Sequence, residues 1–301
     1  MFSWSGIQTA ETLLLSRALR FRPEWRDAIV WYFGLEPGMY VLEVACGPGI
    51  LAPYLAGGIQ PGGQVLGVDL DAAFVKRAQE MAPADGTVTY QVADAYSLPF
   101  PTGVFDAAVS YTGVGVLADP DRAVAEMQRV VRENGTIAVA EAVSGPFGFR
   151  FPGCDGLPGP TPYPEAARYW DLRQRLMAAA EGARPPGIGS PRWPPLAIPA
   201  LLAAAGVQDL VVNAWGYVTA SDDDGPNGTG RGRVSLERDV EAIATATRED
   251  PTRHGLLSEE EWTEWDLASK ARRAWVECHR TYAYEAGLSV VVRGINREKR
   301  S

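Results

Sequence analysis

The chain is poor in the residues that staple small secreted folds or ligate metals: of 301 residues, only three are cysteine and two are histidine. Cys46, Cys154 and Cys278 are far apart, include no C-x-x-C pair and are odd in number. That pattern fits neither a disulfide framework nor a zinc-ligand spacing. Basic residues are also in deficit, 28 against 37 acidic, for a formal charge of −9. Phosphate backbones and anionic lipid surfaces repel such a chain, which argues against a nucleic-acid partner. No apolar run reaches the ~18 residues that a membrane span needs, and the best, Leu196–Val207, contains Pro199. Gln8, Glu11 and Arg17 interrupt the N-terminal stretch, so no signal peptide is read there and a reducing, cytoplasmic setting is expected.

What is present is a composition, 46% hydrophobic and 22% charged, that can fill a sizeable core. Leu13, Leu14, Ala18 and Leu19, then Trp25, Ile29, Val30 and Phe33, recur at helical spacing until Gly34 and Pro37-Gly38 stop the helix. Short apolar runs follow at Tyr40–Ala45, Gln64–Val68, Val88–Val92, Phe105–Ser110 and Thr136–Ala140, separated by helical patterns such as Ala72–Met81 and Pro120–Val131. Strand and helix alternating at this interval predict a parallel sheet covered on both faces. Beyond Glu141, residues 144–164 and 182–195 are rich in Gly and Pro, helices are expected at Tyr163–Ala180 and Pro199–Ala205, and a strand at Asp209–Thr219. Residues 221–232 read as a polar surface loop whose Asp222–Asp224 run is solvated charge, not a metal site. Two helices, Ser235–Arg248 and Glu259–Glu285, precede a last strand at Leu288–Gly294; a capping box at Ser258–Glu261 opens the second and Gly287 is expected to close it.

The chemistry-bearing segment is Val41–Leu51, a buried strand that runs into a glycine turn and then a helix. Such a turn lets a ligand approach the backbone while helix N-terminal amides point at it. Gly47-Pro-Gly-Ile-Leu-Ala52 also satisfies the G-x-G-x-x-A dinucleotide form, so the motif alone leaves two cofactor classes open. Asp69 ends the second strand, where a carboxylate can accept from ribose hydroxyls, as both classes require. Asp94, after the third strand in Ala93–Phe100, tips the balance. An adenine amine lying across the strand ends needs an acceptor there, whereas dinucleotide enzymes have no general use for one.

Glu43-x-Ala-Cys-Gly-Pro-Gly49, Gly67-Val-Asp69, Asp94-Ala-x-x-Leu-Pro-Phe100, Phe105-Asp106 and Asp119–Val131 with Gly135 together resemble the class I S-adenosylmethionine-dependent methyltransferases, most closely the small-molecule group of the ubiquinone and menaquinone C-methyltransferases. The resemblance covers residues 37–142. It implies an α/β fold: a Rossmann-like seven-stranded sheet of order 3-2-1-4-5-7-6, with a helical lid and an insertion. The parts would be an N-terminal helical cap (1–36), the S-adenosylmethionine-binding core (37–143), a lid (144–195), and the last two strands (196–301) carrying a helical insertion at 220–286. By the same resemblance Glu43, Ala45, Cys46, Gly47 and Gly49 would line the methionine and ribose part of the cofactor. Asp69 would hold the ribose, Leu70 pack on the adenine, Asp94 and Ala95 read the adenine edge, and Ser110 with Tyr111 lie beside the sulfonium. Two departures are visible: Ala45 replaces the motif's first glycine, and Tyr111–Val116 lacks the histidine pair that relatives often carry.

Methyl transfer from a sulfonium is an in-line displacement, so alignment and water exclusion outweigh acid–base chemistry. Phe147, Phe149, Phe151, Tyr163, Tyr169, Trp170 and Trp193 concentrate aromatic surface in the lid, which suggests an apolar or aromatic small-molecule acceptor; core filling is the other reading of these rings. Should a base be needed, His254, His279, Tyr111 and Glu141 are the candidates, the last two at strand ends where ligands of open α/β sheets bind. Trp265, Ala268, Trp275, Cys278 and Tyr282 form one helical stripe, expected to pack on the sheet or, in a homodimer, on a second subunit. Two rival functions stand beside the methyltransferase: an NAD(P)-dependent oxidoreductase and a non-catalytic cofactor-binding scaffold.

Overall fold

The computed structural model describes residues 5, 9–18, 20–143, 164–182, 197–220, 241, 244–245, 247–249, 254–278 and 284–297. Phe147, Phe149, Phe151, Cys154, Tyr163, Trp193, Asp222–Asp224, His279, Tyr282 and most of the Ser235–Arg248 helix lie outside them, as do the side chains of His254 and Cys278. The chain divides into two compact units. Unit 1 comprises residues 1–144, 186–216 and 288–301, and unit 2 comprises 145–185 and 217–287.

Unit 1 is built on a seven-stranded sheet with the order β3-β2-β1-β4-β5-β7-β6, as the resemblance implies. Its strands are β1 (Tyr40–Val44), β2 (Gln64–Asp69), β3 (Val88–Val92), β4 (Phe105–Tyr111), β5 (Val131–Val143), β6 (Gln208–Ala220) and β7 (Tyr284–Ile295). Strands β1 to β5 pair in parallel, and β7 runs antiparallel to β5, from Thr136 opposite Ile295 to Val143 opposite Leu288. Val41 to Val44 are all buried, because a central parallel strand has helices over both of its faces.

The helices are α1 (Ala10–Ala18), α2 (Arg26–Tyr32), α3 (Leu51–Gly58), α4 (Ala72–Met81), α5 (Pro120–Val130), α6 (Ala166–Gly182), α7 (Ile198–Ala205) and α8 (Glu259–Cys278). Residues of α2, α3 and α4 share one core with Val41, Val65 and Val109, whereas α5 and α7 close the other face over Leu42, Val44 and Val139. Local chemistry sets their ends. Asp71 caps α4 by accepting from Ala73 and Phe74 N–H, and Asp119 caps α5 ahead of Pro120. Helix α2 ends in a Schellman turn: Leu35 N–H reaches Val30 C=O and Gly34, at φ 71°, bonds to Trp31 C=O. In α5, Ala123, Val124, Met127 and Val130 form the buried stripe, and full burial of each large member contributes roughly 1.5–3 kcal/mol.

One expected element is corrected. The last long helix stops at Cys278 rather than Glu285, and Tyr284–Gly287 belong to β7, so Gly287 closes no helix. Pairing overrides the helical pattern there: β7 lies between β5 and β6, and long-range ladder bonds reward extension that local propensity does not.

In unit 2, α6 lays Tyr169, Leu172 and Leu176 against Trp262, Trp265 and Ala268 of α8. Tyr169 stacks on Trp265 with centroids 5.4 Å apart and planes 15° from parallel. Two residues of the α8 stripe, Trp265 and Ala268, thus pack on α6, and Tyr169 serves as core filling. The capping box forms as expected, Ser258 N–H donating to Glu261 at 2.9 Å and Glu261 N–H to Ser258 Oγ at 3.2 Å. No helix among the described residues is long and apolar enough to cross a membrane.

Candidate functional site

The glycine turn after β1 is a run of left-handed residues: Ala45 at φ 58°, Gly47 at 55° and Gly49 at 83°. A Cβ on Gly49 would stand 2.6 Å from the Tyr90 hydroxyl and 2.7 Å from Ala78, so that position also requires glycine for space. Ala45 carries its methyl group in a conformation that costs an L-residue about 1–2 kcal/mol, which is why a glycine is usual there. Cys46 bonds to Val68 C=O through its amide, and its thiol is pushed well above the usual range by burial, so it is an inert small side chain.

The turn is pinned to β2 by Asp69. One carboxylate oxygen accepts Gly47 N–H at 2.8 Å and the other accepts Asp71 N–H at 2.9 Å. Burial nevertheless raises its pKa, against the pull of those two amides. Leu70, next in sequence, is 51% exposed, an apolar surface left open beside the carboxylate. On the neighbouring strand Val92 pairs with Asp69, which puts Asp94 just past the same sheet edge. Asp94 holds its own loop by accepting Tyr96 N–H at 2.9 Å.

That loop is fastened from behind by α5. Glu126 accepts Leu98 N–H, while the Arg129 guanidinium pairs with Glu126 and donates to the carbonyls of Leu98 and Phe100. Arg122 donates to Tyr96 C=O, and the Tyr96 hydroxyl accepts Asp119 N–H. Asp106 is structural: it accepts Tyr40 N–H at 2.7 Å at the start of β1 and pairs with Arg132.

Polar groups are buried at the tips of β1, β4 and β5. Glu43 is 2% exposed, its carboxyl is pushed up to about 8 by burial, and its Oε2 has no hydrogen-bond partner among the described residues. The Ser110 hydroxyl is likewise buried without a partner. A Cβ on Gly113 would fall 2.6 Å from the Ala45 Cβ and 2.7 Å from Ser110 Oγ. Glu141 is 5% exposed and accepts Gly115 N–H at 2.9 Å; burial raises its pKa to about 7. Tyr111 is buried, with its hydroxyl 3.0 Å from Ser289 Oγ and accepting Arg20 Nη1 at 3.2 Å. Its ring stacks on Trp215 and meets Phe21 edge-on.

Glu43, Ala45, Cys46, Gly47, Gly49, Asp69, Leu70, Asp94, Ala95 and Ser110 thus lie at or just past the carboxyl ends of β1 to β4. Arg17 and Arg20 also belong to this cluster and escaped the sequence reading, because no motif surrounds them. Among the described residues no group of three or more His, Cys, Asp or Glu is placed to hold a metal ion.

A seven-stranded sheet with a reversed β7, a left-handed glycine turn after β1 and a carboxylate ending β2 define a Rossmann-like methyltransferase domain. A family model described as a methyltransferase domain matches residues 42–139. The chain is 32% identical over 120 residues to 2-phytyl-1,4-naphtoquinone methyltransferase of Trichormus variabilis, covering 39% of this chain and 52% of that one. It is 32% identical over 127 residues to demethylmenaquinone methyltransferase of Symbiobacterium thermophilum, covering 41% and 50% respectively. The match therefore spans about half the length of these curated relatives. The fold is similar to that of the YcgJ protein of Bacillus subtilis, with a TM-score of 0.52 at 17% identity over 92% of this chain and all of that one. Residues 42–139 thus match a methyltransferase domain, within a sheet of the order that the class I resemblance implies.

Proposed function

We propose that the protein is an S-adenosylmethionine-dependent methyltransferase that acts on a small-molecule acceptor by in-line transfer. The observation that carries this reading is the Asp69 carboxylate, fixed by Gly47 and Asp71 amides beside an open Leu70 and one strand from Asp94. The residues present fit the cofactor. Glu43 Oε2 and Ser110 Oγ are buried polar atoms without a hydrogen-bond partner among the described residues, and burying such atoms is costly unless something bonds to them. Gly113 lets the chain pass close against Ala45 and Ser110, where a Cβ would clash.

In this assignment Asp69 holds the ribose hydroxyls, Leu70 covers the adenine, and Asp94 with the Ala95 amide reads its edge. Ala45, Cys46, Gly47 and Gly49 bring backbone close to the ligand, with Glu43 and Ser110 at its methionine end. When bound, the cofactor supplies an electrophilic methyl group. The chain's task is to align the acceptor and exclude water. Where the acceptor loses a proton, Glu141 is the base best placed: buried at the end of β5, oriented by Gly115, and with an affinity for a proton near neutrality. The curated relatives are named for naphthoquinone and menaquinone substrates, which supports an apolar, ring-bearing acceptor.

Calorimetry with S-adenosylmethionine and S-adenosylhomocysteine tests the reading, and both should bind in the micromolar range or tighter. Absence of binding at millimolar ligand, or NADH fluorescence enhancement instead, would transfer the cleft to another chemistry. Binding without turnover over a quinone and phenol panel would favour a non-catalytic scaffold.

A further inference from the structure

The motifs of the cleft all lie beyond residue 40, yet a positive charge that faces them comes from α1. Arg17 lies in the last turn of that helix, and its Nη1 stands 3.8 Å from where a Cβ on Gly47 would be. Gly47 is the turn residue whose amide Asp69 holds, so the guanidinium borders the cradle itself. Glu43, Glu141, Tyr111 and Arg20 are its electrostatic neighbours.

The charges in this cluster do not balance. Arg20 donates to the Tyr111 hydroxyl, and its charge opposes that of Arg17. Burial raises Glu43, Glu141 and Asp69, each of which feels the Arg17 charge, and so weakens the carboxylates that face it. Arg17 itself is destabilised, by burial first and by Arg20 next. Buried cations persist where an anion completes them. On the other side of the deficit, Glu43 Oε2 is buried with no partner, which suits a donor cation. A ligand that brings a carboxylate to the arginine and an ammonium to the glutamate satisfies both, and an α-amino-acid end carries those two groups on one carbon.

We infer that Arg17 binds the α-carboxylate of the cofactor's methionine portion, so that α1 is part of the binding site. The inference rests on the methyltransferase reading, and ligands that differ only at the amino-acid end separate the two. Affinities of wild type and Arg17→Gln are compared for S-adenosylhomocysteine and for 5′-methylthioadenosine, which lacks that end. The variant should bind S-adenosylhomocysteine about tenfold or more weakly, the usual scale for a charge-assisted contact, and 5′-methylthioadenosine as wild type does. Arg17→Lys, which keeps the charge but not the fork, should recover part of the loss.

Wild type should also bind the α-methyl ester of S-adenosylhomocysteine about tenfold less tightly than the free acid, a measurement that needs no variant. Equal affinity for ester and acid, or a variant weakened equally toward both nucleosides, overturns the assignment and leaves Arg17 a packing residue. A wild type that binds 5′-methylthioadenosine but does not distinguish the acid from the ester sinks only the Arg17 inference. One that binds none of the three ligands removes the methyltransferase reading as well.

Discussion

Each unit of the molecule sets carboxylates against arginines, with opposite electrostatic results. In unit 1, Glu43 and Glu141 are buried, and desolvation raises them to about 8 and about 7 in spite of the Arg17 charge nearby. In unit 2, Glu261 meets Arg168 and Arg175 at the α6–α8 contact with partial access to water, where the Arg175 hydrogen bond leads in pulling it down to about 2. The residue types are the same. What differs is access to water: where hydration is kept, pairing stabilises the charged form, and where it is lost, the cost of desolvation exceeds the attraction. The exposed network is a staple between helices. The buried one holds charge and hydrogen-bonding capacity that the protein alone does not satisfy, as a ligand site requires.

The sharpest way to break that contrast is to remove one acid from each side. Asp69→Ala removes the ribose acceptor, and with each charge-assisted bond worth about 1.5–3 kcal/mol, S-adenosylhomocysteine affinity should fall at least tenfold. Calorimetry that finds unchanged affinity would show the ribose assignment to be wrong.

The second effect lies in the pH dependence of stability. A carboxyl held above its ordinary 4.5 binds more protons folded than unfolded, so its contribution is present in acid and is lost as pH rises from 4.5 toward about 8 for Glu43 and about 7 for Glu141. Glu261 has the reverse sign: its contribution is present above 4.5 and is lost as pH falls toward about 2. Thermal melting across this range should show Glu43→Gln flattening the decline on the neutral side while leaving the acid limb unchanged. A parallel shift of the whole curve would mean that burial does not govern Glu43.

Smaller effects complete the comparison. Ala45→Gly relieves a left-handed alanine at φ 58° and should stabilise the protein by about 1 kcal/mol, a gain of a few degrees in melting temperature. A fall in melting temperature would show that the Ala45 methyl is needed for packing against Gly113. Glu261→Gln should lower the melting temperature only slightly, because ion pairs near the surface are weak, and should leave S-adenosylhomocysteine affinity unchanged. A measurable change in that affinity would tie the unit 2 network to the site.

Much of the cleft is legible residue by residue because its roles are local. Gly47 and Gly49 appear in the sequence because a left-handed turn needs them, and Asp69 and Asp94 because each ends an apolar strand. The capping box of α8 and the Asp119-Pro120 start of α5 are legible for the same reason. Tyr284–Gly287 were not, since helical spacing there competes with a ladder whose partners lie far away in the chain. The α8 stripe was recognised as a packing face, but α6 as the neighbour of Trp265 and Ala268 was not, because periodicity marks an apolar face without saying what covers it.

The strands, the glycine cradle and the carboxylates at the strand tips could be read directly from spacing, because each depends on residues within a turn or a strand of one another, whereas the strand order was implied only by the family resemblance. The meeting of Arg17 with Gly47, the isolation of Glu43 Oε2 and the fastening of Tyr111 to Ser289 could not. Those depend on where α1 packs and on β7 joining the sheet beside β5, and the loss of water that gives them their chemistry exists only once distant segments have packed together.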